Sequence, residues 1–286
     1  MHSPGKSLVG FMEEQAAIKY MRDVCAFGKD APDAQLLQEW RAAVGKIGQP
    51  MGRAGKPTVS EIPREYEAYI EGLKAESWLE PKLKKSLKEA TFKYVEIDQL
   101  LAMQFAVSTE RSAHLCKALS QPPSMDQLME LCLPKTPAAP DLNFSRDGRS
   151  MHITTKNLSL RVANEGRMEV QTESGRQLHV GVHVDLPVPL LHVVRFQESC
   201  YLHNGFHRAY GARIAGATHL PCIFRDVEYS DDVGFGQQDT FSLKLLQSNN
   251  PPTLGHLTQG RAHDVQLRAL TRVVQISWAE YTVDGI

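Results

Sequence analysis

The chain has no excess of charge of either sign. Its 286 residues hold 32 Lys and Arg against 33 Asp and Glu, a formal net charge of -1, and neither half departs far from neutrality. Holding many phosphates needs concentrated Lys and Arg, so broad electrostatic capture of nucleic acid or of an anionic membrane is not expected. Cysteine is scarce too. Cys25, Cys116, Cys132, Cys200 and Cys222 are odd in number, widely scattered and form no CxxC pair. This argues against a disulfide framework or a zinc ribbon and for a reducing compartment. No apolar run approaches the roughly 18–20 residues of a membrane span. The opening MHSPGKSLVGFMEEQAAIKYM is interrupted by Glu13 and Glu14 where a signal peptide needs apolar residues. A cytoplasmic protein is expected. No GxSxG, Walker A, HExxH or Rossmann fingerprint occurs, and no internal repeat of solenoid length.

What is present is ordinary globular material, 42% hydrophobic and 23% charged, long enough for one large or two ordinary domains. Residues 8–133 read as mostly helical. LVGFMEEQAAIKYMRDVC repeats apolar residues at helical spacing, DAQLLQEWRAAVGKI opens on an N-cap candidate, Asp33, and SEIPREYEAYIEGLKAESWL can start at Ser60 with Pro63 in its first turn. FKYVEIDQLLAMQFAV reads as a short strand and then a helix capped by Asp98. Whether Phe92–Met103 belongs to the second domain stays open. The Pro-rich run over 134–149 reads as a linker. From residue 150 the pattern alternates in period two, with strands at Leu190–Phe196, Cys200–His203, Leu220–Arg225 and Thr271–Val283 and helices at Phe206–Ala215 and Thr240–Gln247. The expectation is an α+β protein, with a mostly helical domain over 1–133, a linker, and a β-rich domain over 150–286.

One stretch points at chemistry: CYLHNGFHRAYGARIAGATHLPCIFRDV, Cys200–Val227. Asn204-Gly205 is a turn signal, Phe206, Tyr210 and Ile214 share a helical face, and Gly216 ends the helix. His207 and Arg208 then fall in the first turn, where unpaired N–H groups and a partial positive charge disfavour cations by a few tenths to ~1 kcal/mol. An anion there would reverse that cost, and phosphate fits a glycine turn followed by a guanidinium. The alternative is that Arg208 pairs with a structural carboxylate, Glu198 or Asp226, while His207 merely packs.

The segment Tyr201–Phe224, centred on NGFHRAYGARIAG, resembles the phosphate-binding box of the ParB/sulfiredoxin-like superfamily, and YVEIDQLLAMQ is similar to that family's opening strand and turn. The resemblance implies a ParB/sulfiredoxin-like fold for the C-terminal domain and a nucleotide ligand, CTP or ATP, with or without Mg2+. It implies that Asn204, Gly205, His207 and Arg208 hold the phosphates, with His207 hydrogen-bonding or transferring a proton in any nucleotide hydrolysis. Such proteins include nucleotide switches in DNA-associated or defence-related systems, and the N-terminal helices would then dock a protein partner. Phe206 occupies the place of the sulfiredoxin cysteine, so that chemistry is not expected. No helix-turn-helix pattern follows the box, which disfavours centromere binding.

Two rival readings are an interaction subunit in which the box is a structural relic and a nuclease or nucleic-acid-binding protein. Crowded histidines (His179, His183, His192, His203, His207, His219) invite a metal, but His179 and His183 on one strand would stand some ~13 Å apart. Lys82, Lys84, Lys85 and Lys88 read as a solvated basic face. GFGQQD, Gly234–Asp239, reads as a loop, and Asp231 and Asp232 beside it either hold a metal–nucleotide complex or are plain loop residues.

Overall fold

Most of these patterns become regular structure in the computed structural model, which describes residues 2–50, 52–76, 90–136, 142–155, 161–162, 170–173, 177–180, 184–185, 190–235, 240–277 and 279. In chain order, β1 (His2–Ser7) precedes α1 (Glu14–Val24) and α2 (Asp33–Lys46). Next come β2 (Val59–Glu61), α3 (Glu67–Ala75), β3 (Thr91–Glu96), β4 (Leu101–Ala102) and β5 (Ala106–Ser108). Two short helices, α4 (Thr109–Leu115) and α5 (Met125–Cys132), follow. Then come β6 (Asn143–Asp147), β7 (Ser150–Thr155), β8 (Arg161–Val162), β9 (Val170–Glu173), β10 (Gln177–Val180) and β11 (Val184–Asp185). The chain continues with β12 (His192–Phe196), β13 (Ser199–Asn204), α6 (Phe206–Ile214) and β14 (His219–Val227). It finishes with α7 (Leu243–Leu246), α8 (Leu254–Thr258), β15 (His263–Arg268) and β16 (Arg272–Ser277). The protein is of mixed α+β class.

Two compact units divide the chain, residues 1–136 with 189–268 and residues 137–188 with 269–286. This corrects the expected division at 133 and 150. The physical reason is strand pairing between the two ends of the first unit. There β1 lies antiparallel between β5 and β15, and β3 pairs antiparallel with β14. Phe92–Met103 therefore belongs with the strand–turn–helix segment.

The main sheet runs β2-β3-β14-β12-β13-β4, with β12 and β14 parallel and β12–β13 an antiparallel hairpin. Its core residues include Leu191, Val193, Val194, Tyr201, Leu202, Leu220 and Cys222. Burying a side chain of this size contributes roughly 1.5–3 kcal/mol, which ties the sheet to the helices packed on it. The helices α1 and α2 close a second cluster around Val9, Met21, Leu36 and Val265. In the second unit β7 lies between β6 and β16, with Ile153 and Val274 packed against Leu142 and Ile276.

Other departures have local causes. Ser60 lies in β2 rather than capping a helix, because β2 pairs with β3, and α3 begins only after a 3-10 turn at Arg64–Tyr66. After β3 no helix follows Asp98. Leu100, Leu101 and Ala102 are buried, too apolar for one exposed helical face, and their backbone bonds to Pro252 and Leu254 instead. Part of the supposed linker is strand β6, paired with β7. The helix expected at Thr240–Gln247 shortens to α7, capped by the Ser242 hydroxyl. Residues 82–88, His183 and residues 236–239 lie outside the described residues.

Candidate functional site

The turn between β13 and α6 forms as its sequence suggests. Gly205 has φ +103°, and a Cβ there would stand 2.9 Å from Leu191 Cγ, so both backbone conformation and space require glycine. Asn204 donates from Nδ2 to the Leu190 carbonyl at 3.0 Å, tying the end of β13 to the approach to β12. Helix α6 then buries Phe206, Ala209, Tyr210 and Ala212. Gly211 lets it approach α4, since a Cβ there would lie 2.4 Å from Cys116 Sγ.

His207 is not a cation. Its Nε2 accepts the Ser108 backbone N–H at 3.1 Å, which places the ring proton on Nδ1. Burial, then Arg111 and Arg208, depress its pKa to about 4. Ser108 is itself the N-cap of α4, accepting the Arg111 N–H through its hydroxyl at 3.1 Å. The His207–Ser108 bond thus joins the starts of α4 and α6.

Arg208 is only 6% exposed and turns away from the α6 N-terminus. Its Nη1 donates to the carbonyls of Leu131 at 3.2 Å and Cys132 at 3.5 Å, the last residues of α5. Those carbonyls carry the negative end of the α5 dipole, so the guanidinium meets a partial charge of opposite sign. Burial still lowers its pKa. The sequence alternatives for its carboxylate are taken elsewhere: Glu198 by Lys56 at 2.6 Å, and Asp226 by Arg195. Arg208 as a phosphate clamp is therefore corrected to Arg208 as a cap on α5. The two apparent cations at a helix start are reconciled, one neutral and one aimed at another helix.

The first turn of α6 has no side-chain cap and no acidic residue. Beside it stands Arg111 on α4, which sequence reasoning missed. Arg111 is an exposed residue whose guanidinium makes no hydrogen bond or ion pair among the described residues, and partial desolvation of that group lowers its pKa. Only the contact of α4 with α6 distinguishes it from other surface arginines, and no local pattern carries that contact.

The described histidines form two stacked contacts and no larger cluster. His219 stacks on Tyr94 at 5.2 Å and His192 on His203 at 5.1 Å. Of His179 only the backbone, in β10, is described. No group of three or more potential ligands among the described residues could hold a metal ion. The cysteines are free, and burial pushes the thiols of Cys25, Cys116 and Cys200 up to about 11 and Cys132 to about 12, far from the thiolate needed for nucleophilic work. A cleft of about 360 Å³ beside Lys56 and Arg195 is lined by none of residues 204–208, and one of about 410 Å³ beside Lys6 and Glu39 reaches Thr109, the first residue of α4. No family model, curated protein or solved structure matches the chain.

Proposed function

We propose that the first unit binds a phosphate-bearing ligand, a nucleotide of the CTP or ATP kind with or without Mg2+, where α4 and α6 begin side by side. The single observation that carries the reading is this junction. An uncapped α6 N-terminus lies next to Arg111, an arginine with no partner among the described residues. Free N–H groups at a helix start favour an anion, and a guanidinium supplies a fork of donors matched to phosphate. The Gly205 turn allows close backbone approach, and His207 offers Nδ1–H as a donor because Nε2 is occupied. Asn204 and Arg208 act by holding the turn and α5 in place. The resemblance of NGFHRAYGARIAG to the ParB/sulfiredoxin-like box supports the same reading, and with it a nucleotide-dependent switch that docks a protein partner.

A thermal-shift panel of nucleoside triphosphates, with and without Mg2+, tests it. At least one should raise the melting temperature in a concentration-dependent way, as a ligand specific to the native state must. No shift with any nucleotide or with inorganic phosphate would remove the reading and leave the interaction-subunit alternative.

A further inference from the structure

A second cluster of cation-capable groups lies on the main sheet where β12 and β13 meet the α6 turn, His192 pairing with Asn204. Strands β12 and β14 run parallel, with His192 opposite Ile223 and Val194 opposite Arg225. Tyr201 on β13 pairs with Val194, the register then shifts between Val193 and His192, and ring contact brings His203 to His192. The His192 and His203 rings stack with centroids 5.1 Å apart and planes at 19°. His203 Nδ1 is sealed from solvent and has no hydrogen-bond partner.

Arg225 donates to the backbone carbonyl of Asp232 at 2.8 Å and forms no ion pair among the described residues. Asp231 and Asp232 on the neighbouring 3-10 turn are exposed, and the Asp231 carboxylate accepts from the Ser230 hydroxyl. Three cation-capable groups are thus gathered on adjacent strands, with no carboxylate among the described residues bound to any of them. With Nδ1 closed off, Nε2 is the His203 ring nitrogen left to face a ligand.

We propose that His192, His203 and Arg225 form a binding site for a small oxyanion, inorganic phosphate or the phosphate of a phosphomonoester. Three donors suit a tetrahedral oxyanion, and the guanidinium excludes a metal cation by repulsion. The bound anion would favour the protonated imidazoles that burial, the neighbouring ring and Arg225 now oppose. Affinity should therefore rise as pH falls, with the exposed Asp231 and Asp232 opposing it only weakly.

The test is to follow the imidazole resonances of the full chain by NMR during titration with inorganic phosphate in one arm and a nucleoside monophosphate in the other. The His192 and His203 signals should move saturably and their titration midpoints should rise. Arg225→Ala should weaken the response by about tenfold or more, the loss of one charge-assisted hydrogen bond, and Arg225→Lys should restore part of it. Arg111→Ala should leave it unchanged, which separates this site from the α6 junction. A response only to the monophosphate identifies a phosphomonoester as ligand, and one to both identifies the bare anion. Signals that stay fixed in both arms, or that move equally in Arg225→Ala, would overturn the proposal.

Discussion

His207 and Arg208 are adjacent in the chain but serve different helices, and their substitution should separate accordingly. Arg208→Ala removes a buried guanidinium and strands the α5 carbonyls it serves, so unfolding free energy should fall by about 2–4 kcal/mol. Arg208→Lys should recover part of this, since an ammonium keeps the charge but cannot span two carbonyls as a planar fork. Urea denaturation measures both, and an Arg208→Ala protein as stable as the parent would contradict the cap. The cap was illegible in the sequence. A rule about cations at helix starts assumes that a side chain acts where its Cα sits, whereas this guanidinium bonds Leu131, whose position lies 77 residues earlier. Gly205 was legible because its reason is local, a left-handed turn before a helix.

At the scale of elements, the junction depends on how closely α4 and α6 approach. An alanine at Gly211 would set its Cβ 2.4 Å from Cys116 Sγ and 2.9 Å from the Ser112 carbonyl oxygen. Gly211→Ala should cost about 1–3 kcal/mol through overpacking. Combining it with Cys116→Ala should restore part of that loss, because one of the two obstructions is gone. Equal melting temperatures for parent and Gly211→Ala would show that the helices are free to part. Period-two alternation revealed β12, β13 and β14, and helical spacing revealed α1 and α2. The boundary between units stayed hidden because β1–β15 and β3–β14 join distant segments, and sequence distance carries no record of such pairing. The strand at Phe92 was legible, but its membership in the main sheet was not.

For the whole molecule, the buried histidines set a response to acid. Burial first, with neighbouring cations after it, holds His207 and His256 down to about 4 and His192 to about 3, and His203 is lowered as well. In the unfolded chain these groups take up protons near their ordinary value of 6.5. The unfolded state then binds more protons, so stability is full above that value and is lost as pH falls towards 4. At about pH 5 each strongly depressed group has withdrawn roughly 2 kcal/mol. Denaturation midpoints should therefore drop between pH 6.5 and 5, above the range where carboxylates titrate. A flat profile over that interval would show that the rings are protonated in the native state.

The most direct test of the account is the affinity of the parent and of Arg111→Ala for the nucleotide that shifts the parent's melting temperature, measured by calorimetry beside their ligand-free stabilities. Arg111 is exposed and without a partner among the described residues, so its removal should leave stability within about 0.5 kcal/mol. Binding should weaken about 10- to 100-fold, as expected when a guanidinium–phosphate contact is lost. Unchanged affinity in Arg111→Ala would contradict the placement of the ligand at the α4–α6 junction.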